Sequence, residues 1–210
     1  AMLPVTKDGT QLLVTAGLLS SIAAFLPNSL AMGLLALSVS YWRRGQRNKQ
    51  LLTLAAMAIF TWPYSLVYAV PFLVLDPSGA LNVPIRRMLV AAVIAGVYLV
   101  PITAFIDNLH YRKWTLTWWN AIRYNLFSGR DVLYGRESWS FYVKSLLVGH
   151  NVVGLLAMTI PQWRAEWWSA VLGVVLFSSR PHKEERFLYP VIPMLLSAYS
   201  SAKFPFKRAV

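Results

Sequence analysis

The densest group of charged residues in the chain is a hexad between two apolar segments, made of His182, Lys183, Glu184, Glu185, Arg186 and Phe187. Its bases could bind an anion such as phosphate, while its carboxylates hold those bases in position. The same residues could instead form a salt-bridge cluster that anchors the end of a membrane helix. Arg180 lies just before the hexad and adds another base. The residue types alone leave both interpretations open.

A second polar segment, 107–142, combines acids and bases with many aromatic residues. Its candidate site residues are Asp107, Tyr134, Glu137 and Trp139. Aromatic rings at this density suit a platform for sugar rings, and they also suit an ordinary aromatic belt at a membrane interface. Five of the 8 acidic residues of the chain lie in this segment and the hexad, so chemistry is expected there.

The composition requires a lipid environment around the elements that position these segments. The chain is 57% hydrophobic and 13% charged, whereas soluble domains are about 45–50% apolar and about 25% charged. The net charge of +12 comes from bases clustered between apolar runs, which favours cytosolic loops beside anionic lipid rather than nucleic acid. With no cysteine, disulfides and cysteine-ligated metals are excluded. No metal or other cofactor is predicted.

Hydrophobic runs predict an all-α integral membrane protein, because a helix of roughly 20 apolar residues crosses the hydrocarbon. The whole chain, 1–210, is predicted to form one transmembrane domain. Its predicted spans are 14–42, 51–75 (broken at Pro63), 88–106, 143–160, 167–178 and 187–202, with a luminal loop at 107–142.

Three clusters of bases without acids predict the sidedness of the chain. They are Arg43, Arg44, Arg47 and Lys49; Arg86 and Arg87; and Lys203, Lys207 and Arg208. The positive-inside rule places all three in the cytosol, which requires the second apolar segment to turn back at Pro63. Segment 107–142 and the hexad would then be luminal. Without that turn, both would be cytosolic; we favour the turn.

At the hexad the sequence becomes recognisable, because HKEERFLYPVIP resembles the C-terminal signature of glycosyltransferase family 22. This family comprises the dolichyl-phosphate-mannose-dependent mannosyltransferases. Supporting blocks are AAFLPNSLAM (Ala23–Met32), TWPYS (Thr61–Ser65), Asp107 with Tyr111, and LYGRESWSFY. The resemblance runs from about Val14 to Pro193. The Glu-Glu pair and the LYGRESWSFY string are most similar to the α-1,2 branch that serves asparagine-linked glycosylation.

The resemblance implies a partial helical bundle of the GT-C type in the endoplasmic reticulum membrane, with its active face in the lumen. The enzyme would transfer mannose from dolichyl-phosphate mannose to a lipid-linked oligosaccharide with inversion. Inversion needs a carboxylate to accept the acceptor proton and cations to stabilise the departing phosphate. Lys183, Arg186 and His182 suit the phosphate, and Asp107 and Glu137 would position sugar hydroxyls.

The sequence departs from the family pattern in one respect. The acidic catalytic residues of the family lie in the first luminal loop, whereas the only acid here before Asp76 is Asp8, in a context that does not match. The catalytic base is therefore expected upstream of this chain, which would be a C-terminal part that is inactive alone. A glycosylphosphatidylinositol mannosyltransferase of the same family, a non-catalytic membrane scaffold and a transporter of lipid-linked sugars remain alternatives.

Overall fold

The fold is a set of packed helices, seen in a computed structural model that describes residues 23–24, 26–77, 82, 84–128, 133, 135–149 and 164–201. All regular elements in these ranges are helical, which confirms the predicted all-α class. They are α1 (Pro27–Arg43), α2 (Arg47–Phe60), α3 (Leu66–Val74), α4 (Ile85–Ile94), α5 (Val100–Tyr111), α6 (Thr117–Ile122), α7 (141–149), α8 (Ala165–Ser178) and α9 (Val191–Ser201). Short 3-10 turns lie at Pro63–Ser65 and Glu185–Leu188, and π turns at Ala95–Leu99 and Arg123–Phe127.

Helices α2 and α3 form an antiparallel hairpin around Pro63. Trp62 is extended, with φ −122° and ψ 109°, as expected for a residue before proline. At the other end of the hairpin, the guanidinium of Arg47 donates hydrogen bonds to the carbonyls of Phe72 (2.5 Å) and Leu73 (3.2 Å). The last carbonyls of a helix have no partner within it, so Arg47 at the start of α2 satisfies the end of α3.

One helical run in the described part of the chain is long and apolar enough to cross a membrane, judged by length and composition only. It joins α4, a π turn and α5 over Ile85–Tyr111, which is 27 residues or about 40 Å. Its surface is mostly exposed, including Leu89 (62%) and Val93 (64%). The run is longer than the predicted 88–106, because it starts directly after Pro84 and stops only where Arg112 takes the left-handed conformation, with φ 54°.

Other helix bounds also differ from the predicted spans. Segment 107–142, predicted as a loop, contains the end of α5, the whole of α6 and the start of α7. The last predicted span, 187–202, begins instead with a 3-10 turn, and α9 starts only after Pro190. Parts of the predicted spans 14–42 and 143–160 lie outside the described residues. The crossing of a membrane by these segments stays a prediction.

Helix α8 packs between α3 and α9 and carries the close contact that orients Tyr68. The Tyr68 ring lies against Gly173, where an added Cβ would overlap ring carbons. Ser169 on the same helix donates a hydrogen bond to the carbonyl of Tyr68 at 2.6 Å. Tyr68 is 1% exposed and its hydroxyl donates to the carbonyl of Phe187. The packing of α8 on α3 therefore reaches the hexad.

A partly buried ion pair joins α1 to α8, and a hydrogen bond extends it to α9. Nη2 of Arg43 lies 2.6 Å from Oε1 of Glu166 and donates a hydrogen bond of 2.7 Å to Oγ of Ser197. Glu166 is 5% exposed, so its charge is tolerable only because a partner neutralises it. Arg43, predicted as one of several cytosolic bases, thus also has a packing role.

Replacing Gly173 by alanine is expected to destabilise the fold by about 1–3 kcal/mol, because the new methyl group displaces the Tyr68 ring. Gly33→Ala in α1 is the matched control, since its Cα faces open space and alanine favours helix by about 0.5–1 kcal/mol. Thermal unfolding in detergent, followed by tryptophan fluorescence, measures both variants. Equal melting temperatures for Gly173→Ala and the unmodified chain would contradict the packing described.

Candidate functional site

The buried ammonium of Lys183 joins the two polar segments. Lys183 is 6% exposed, and its Nζ donates to the carbonyl of Arg180 at 2.5 Å and to that of Glu137 at 2.9 Å. The amide of Glu137 donates in turn to the carbonyl of Pro181 at 3.0 Å. Segment 135–138 is therefore held against the start of the hexad through backbone groups, whatever the side chain at position 137 does.

The carboxylate of Glu184 lies between two bases of the hexad. Its Oε1 is 2.8 Å from Nε2 of His182 and 2.7 Å from Nη2 of Arg186, and its Oε2 contacts Nε of Arg186. Partial burial opposes ionisation of Glu184, but hydrogen bonds and charge from Arg186 and His182 outweigh it, so its pKa lies below the usual 4.5. Because ionised Glu184 can only accept, Nε2 of His182 must carry the proton in this pair.

A cavity of about 180 Å³ lies beside this charge cluster. Its apolar walls are Trp62, Tyr64, Leu176, Phe177 and Phe187, and its polar lining is Asn125, Ser179, Arg180 and His182. The rings of Trp62 and Phe187 are stacked, with centroids 6.2 Å apart and an interplanar angle of 22°. His182 meets Phe187 edge to face at 6.0 Å. Aromatic faces and nitrogen donors thus share one small space.

Three distant parts of the chain build this cavity, and hydrogen bonds hold them together. The hydroxyl of Tyr64, next to the Pro63 turn, donates to the carbonyl of Ala121 at 2.6 Å. Nη2 of Arg180 donates to the carbonyl of Asn125 at 2.7 Å. These hydrogen bonds bring together the tip of the α2–α3 hairpin, the first polar segment and Arg180 before the hexad. The hydrogen bond from Tyr68 to the carbonyl of Phe187 likewise joins α3 to the hexad.

Of the predicted site residues that the structure describes, His182 alone lines this cavity, and Lys183, Glu184 and Arg186 lie next to it in the hexad. Glu185 is exposed, as are the side chains of Glu137 and Trp139, the latter by 75%. Asp107 accepts a hydrogen bond of 2.7 Å from the amide of Thr117, where it caps α6, and no hydrogen bond or ion pair joins it to the hexad among the described residues. Tyr134 lies outside the described residues.

Several cavity residues were not among the predicted site residues, including Trp62, Tyr64, Arg180 and Asn125. Trp62 and Tyr64 lie in the TWPYS block, and Arg180 directly precedes the hexad, so the sequence carried a signal for these three. Asn125 carried none, because an asparagine in an aromatic-rich segment has no distinguishing pattern. The described part of the chain contains no group of three or more acidic or histidine side chains arranged to hold a metal ion.

The described helices thus bring basic and aromatic side chains together around one small cavity. Residues 10–208 match the model of the Alg9-like mannosyltransferase family, and the chain belongs to that family. The resemblance inferred from the hexad is thereby confirmed.

Curated relatives agree with this assignment. The chain is 29% identical to the alpha-1,2-mannosyltransferase alg9 of Schizosaccharomyces pombe, over 89% of this chain and 37% of that protein. It is 29% identical to the human alpha-1,2-mannosyltransferase ALG9, over 88% of this chain and 33% of the relative. A Drosophila melanogaster relative is named Dol-P-Man:Man(7)GlcNAc(2)-PP-Dol alpha-1,6-mannosyltransferase. It is 27% identical over 84% of this chain and 27% of that protein. The chain thus spans about a third of the length of these relatives. No solved structure matches it.

Lys183→Met is expected to release segment 135–138, because two carbonyls lose their common donor at a cost of about 1 kcal/mol or more. Trypsin cleavage after the exposed Arg136 should then accelerate about fivefold or more, since cleavage follows the population of the open segment. Lys144→Met removes an exposed lysine of α7 and should leave the rate unchanged. An unaltered rate in Lys183→Met would mean that the ammonium does not hold the segment.

The lowered pKa of Glu184 predicts a pH-dependent contribution to stability. A carboxyl whose folded pKa is depressed stabilises the fold fully above its unfolded value, near 4.5, and loses this effect as pH falls through the folded pKa. The difference in melting temperature between the unmodified chain and Glu184→Gln should therefore be steady above about pH 5 and shrink below it. Glu185→Gln is the matched control, because it removes an exposed carboxylate that forms no ion pair with the described residues. A difference that grows on acidification would refute the assignment.

Proposed function

We propose that this chain forms part of a multispan enzyme of the endoplasmic reticulum membrane. The enzyme transfers mannose from dolichyl-phosphate mannose to a lipid-linked oligosaccharide during assembly of the N-glycan precursor, and forms an α-1,2 linkage. Family membership supports the reaction class, and the relatives named alpha-1,2-mannosyltransferases support the linkage.

The observation that carries this proposal is the cavity lined by the stacked Trp62 and Phe187 rings together with the guanidinium of Arg180 and the imidazole of His182. A mannosyl phosphate has two parts that need different surroundings. The apolar C–H face of the sugar packs on aromatic rings, whereas the phosphate needs cationic donors. The cavity offers both within about 180 Å³, which is room for a small group rather than for an oligosaccharide.

The charge cluster would act on the departing phosphate. Transfer of the mannosyl group leaves a negative charge on dolichyl phosphate, and prepositioned donors stabilise such a charge most effectively. In this proposal Arg186 provides the donors and Arg180 adds positive charge at the cavity wall. His182, whose Nε2 hydrogen is used by Glu184, can donate to the phosphate only through Nδ1, when its ring is doubly protonated. Two of the three N–H donors of Lys183 are used by carbonyls, so Lys183 mainly positions the turn. Its positive charge still contributes to the potential at the charge cluster.

The acceptor proton needs another base. A general base must bind a proton readily, and Glu184 is unsuited because two bases hold its pKa below the usual value. We assign Glu184 to the orientation of His182 and Arg186. The exposed carboxylates of Glu137 and Glu185, together with Asp107, Tyr134 and Trp139, are proposed to contact sugar hydroxyls and faces of the donor or the acceptor.

The hairpin supports a luminal position for the site. Trp62 at its tip lies by the cavity, whereas Arg47 at its base lies near Arg87, so two basic clusters share the end opposite the cavity. Bases at membrane helix ends favour the cytosol, which would place the cavity and both polar segments in the lumen. The apolar run Ile85–Tyr111 would then cross the bilayer, whose hydrocarbon is about 30 Å thick.

A second candidate differs only in linkage. The Drosophila relative is named an alpha-1,6-mannosyltransferase, so an α-1,6 linkage to the same kind of lipid-linked acceptor is the runner-up. Digestion of the mannosylated product with a mannosidase specific for α-1,2 linkages separates the two candidates. Resistance of the new mannose to that enzyme would favour the α-1,6 reaction.

Arg186→Ala in a full-length enzyme that carries this segment should reduce mannosyl transfer by at least about 10²-fold, the usual scale for losing a prepositioned donor. The variant also leaves Glu184 with one base fewer, which makes the site less attractive to a phosphate. Microsomal assays with dolichyl-phosphate mannose and defined lipid-linked glycans measure the rate. Lys113→Ala removes an exposed base elsewhere and should keep near-normal activity. Near-normal transfer by Arg186→Ala, with unchanged melting temperature, would reduce the hexad to a structural anchor.

A further inference from the structure

A second and larger cavity, of about 850 Å³, lies at the end of α2 opposite the hexad. It is bounded by the first turns of α2 and α4, which bring Arg47, Arg86 and Arg87 to one space. A smaller pocket of about 280 Å³ beside it is lined by Lys49 as well as by Arg47 and Arg87. Two of the basic clusters identified in the sequence therefore meet here, although nearly forty residues separate them.

The positive charges of this cavity are only partly neutralised. Arg86 and Arg87 are exposed, and neither side chain forms a hydrogen bond or an ion pair within the described part of the chain. Arg47 is 7% exposed and directs its donors to backbone carbonyls and to Gln50, so its charge is solvated by dipoles and not cancelled. Arg87 repels Arg47, and the nearby Asp76 offsets one charge. Three guanidinium groups and one carboxylate leave a net positive charge, which attracts anions.

The side of the cavity away from the arginines is apolar. It includes Leu51, Leu52, Val90, Ala91 and Ile94, while Asn48 and Asn82 add polar groups elsewhere in the lining. Beyond it the exposed apolar face of the run Ile85–Tyr111 continues, with Val93 64% and Val97 60% exposed. A ligand that occupies the whole space must therefore carry an anion at one end and hydrocarbon at the other. A free phosphate would leave the apolar wall exposed to water. A nucleic acid backbone would not bury that wall either, because it is polar.

We propose that this cavity binds an anionic phospholipid. Its phosphate accepts hydrogen bonds from the free guanidinium groups of Arg86 and Arg87, with the charge of Arg47 behind them. The first part of an acyl chain lies against Leu52, Val90 and Ile94 and leaves along the outer face of the long helix. This site lies at the opposite end of the hairpin from the proposed mannosyl-phosphate site and is independent of it.

The test measures lipid binding by the full chain without any sugar donor. The chain is titrated with phosphatidylserine or phosphatidylcholine in mixed micelles of a neutral detergent, and bound lipid is counted by native mass spectrometry. Phosphatidylserine should bind more tightly than phosphatidylcholine, and Arg86→Gln/Arg87→Gln should weaken it about tenfold or more, given the usual contribution of each base near an anionic surface. Lys113→Gln/Arg136→Gln makes the same charge change at exposed positions elsewhere and should leave binding unchanged.

Two further arms separate a lipid from its headgroup. Glycerophosphoserine and inorganic phosphate carry the anion without the chains, and should compete only at far higher concentration than phosphatidylserine. Val90→Asn should weaken phosphatidylserine binding while leaving phosphate binding unaltered. Equal binding by the Arg86→Gln/Arg87→Gln variant and the unmodified chain would overturn the proposal. So would competition by inorganic phosphate at the concentration of the lipid itself. Melting temperatures, measured in parallel, are expected to stay unchanged, because Arg86, Arg87 and Val90 have exposed side chains.

Discussion

A buried ammonium group is the constraint on which the candidate site depends. An unpaired cation in a protein interior is very costly, so Lys183 must be surrounded by acceptors. The acceptors it finds are carbonyls of its own turn and of segment 135–138, more than forty residues earlier. Meeting that requirement bends the chain at the hexad and brings the first polar segment against it. Glu184, His182 and Arg186 can then form their own cluster outside the buried turn.

The α2–α3 hairpin supplies the second constraint, because it has two chemically different ends. Its tip carries aromatic residues into the cavity at the hexad, and the proline there ends the helical hydrogen bonding. Its base is held by Arg47, which satisfies the last carbonyls of α3 and collects further bases around it. One element thus separates a polar aromatic site from a basic apolar one by the length of α2. Both proposed ligands contain a phosphate and a lipid chain. The site at the tip has aromatic walls for a sugar, whereas the site at the base has more bases and an aliphatic wall.

Family membership applies to a chain that spans about a third of its curated relatives. Within this chain, the aromatic cavity is lined by the hairpin tip, the π turn of the first polar segment, α8 and the residues at the hexad. Binding of a mannosyl phosphate and catalysis of transfer are therefore separable questions. The first concerns contacts within these helices, and the second also requires a base that the hexad does not provide.

The sequence by itself determined the helical class, the family and the position of the hexad. These properties depend on composition and on contiguous motifs, which a chain displays without folding. It also marked Trp62 and Arg180 through their neighbours, but it could not rank the six hexad residues. Only the tertiary structure decided that Lys183 is buried, that Glu184 and not Glu185 pairs with the bases, and that Asn125 lines the cavity while Asp107 caps a helix. The physical reason is that each of these roles depends on partners distant in sequence, or on which side of a turn faces the interior. The local order of residues does not specify either property.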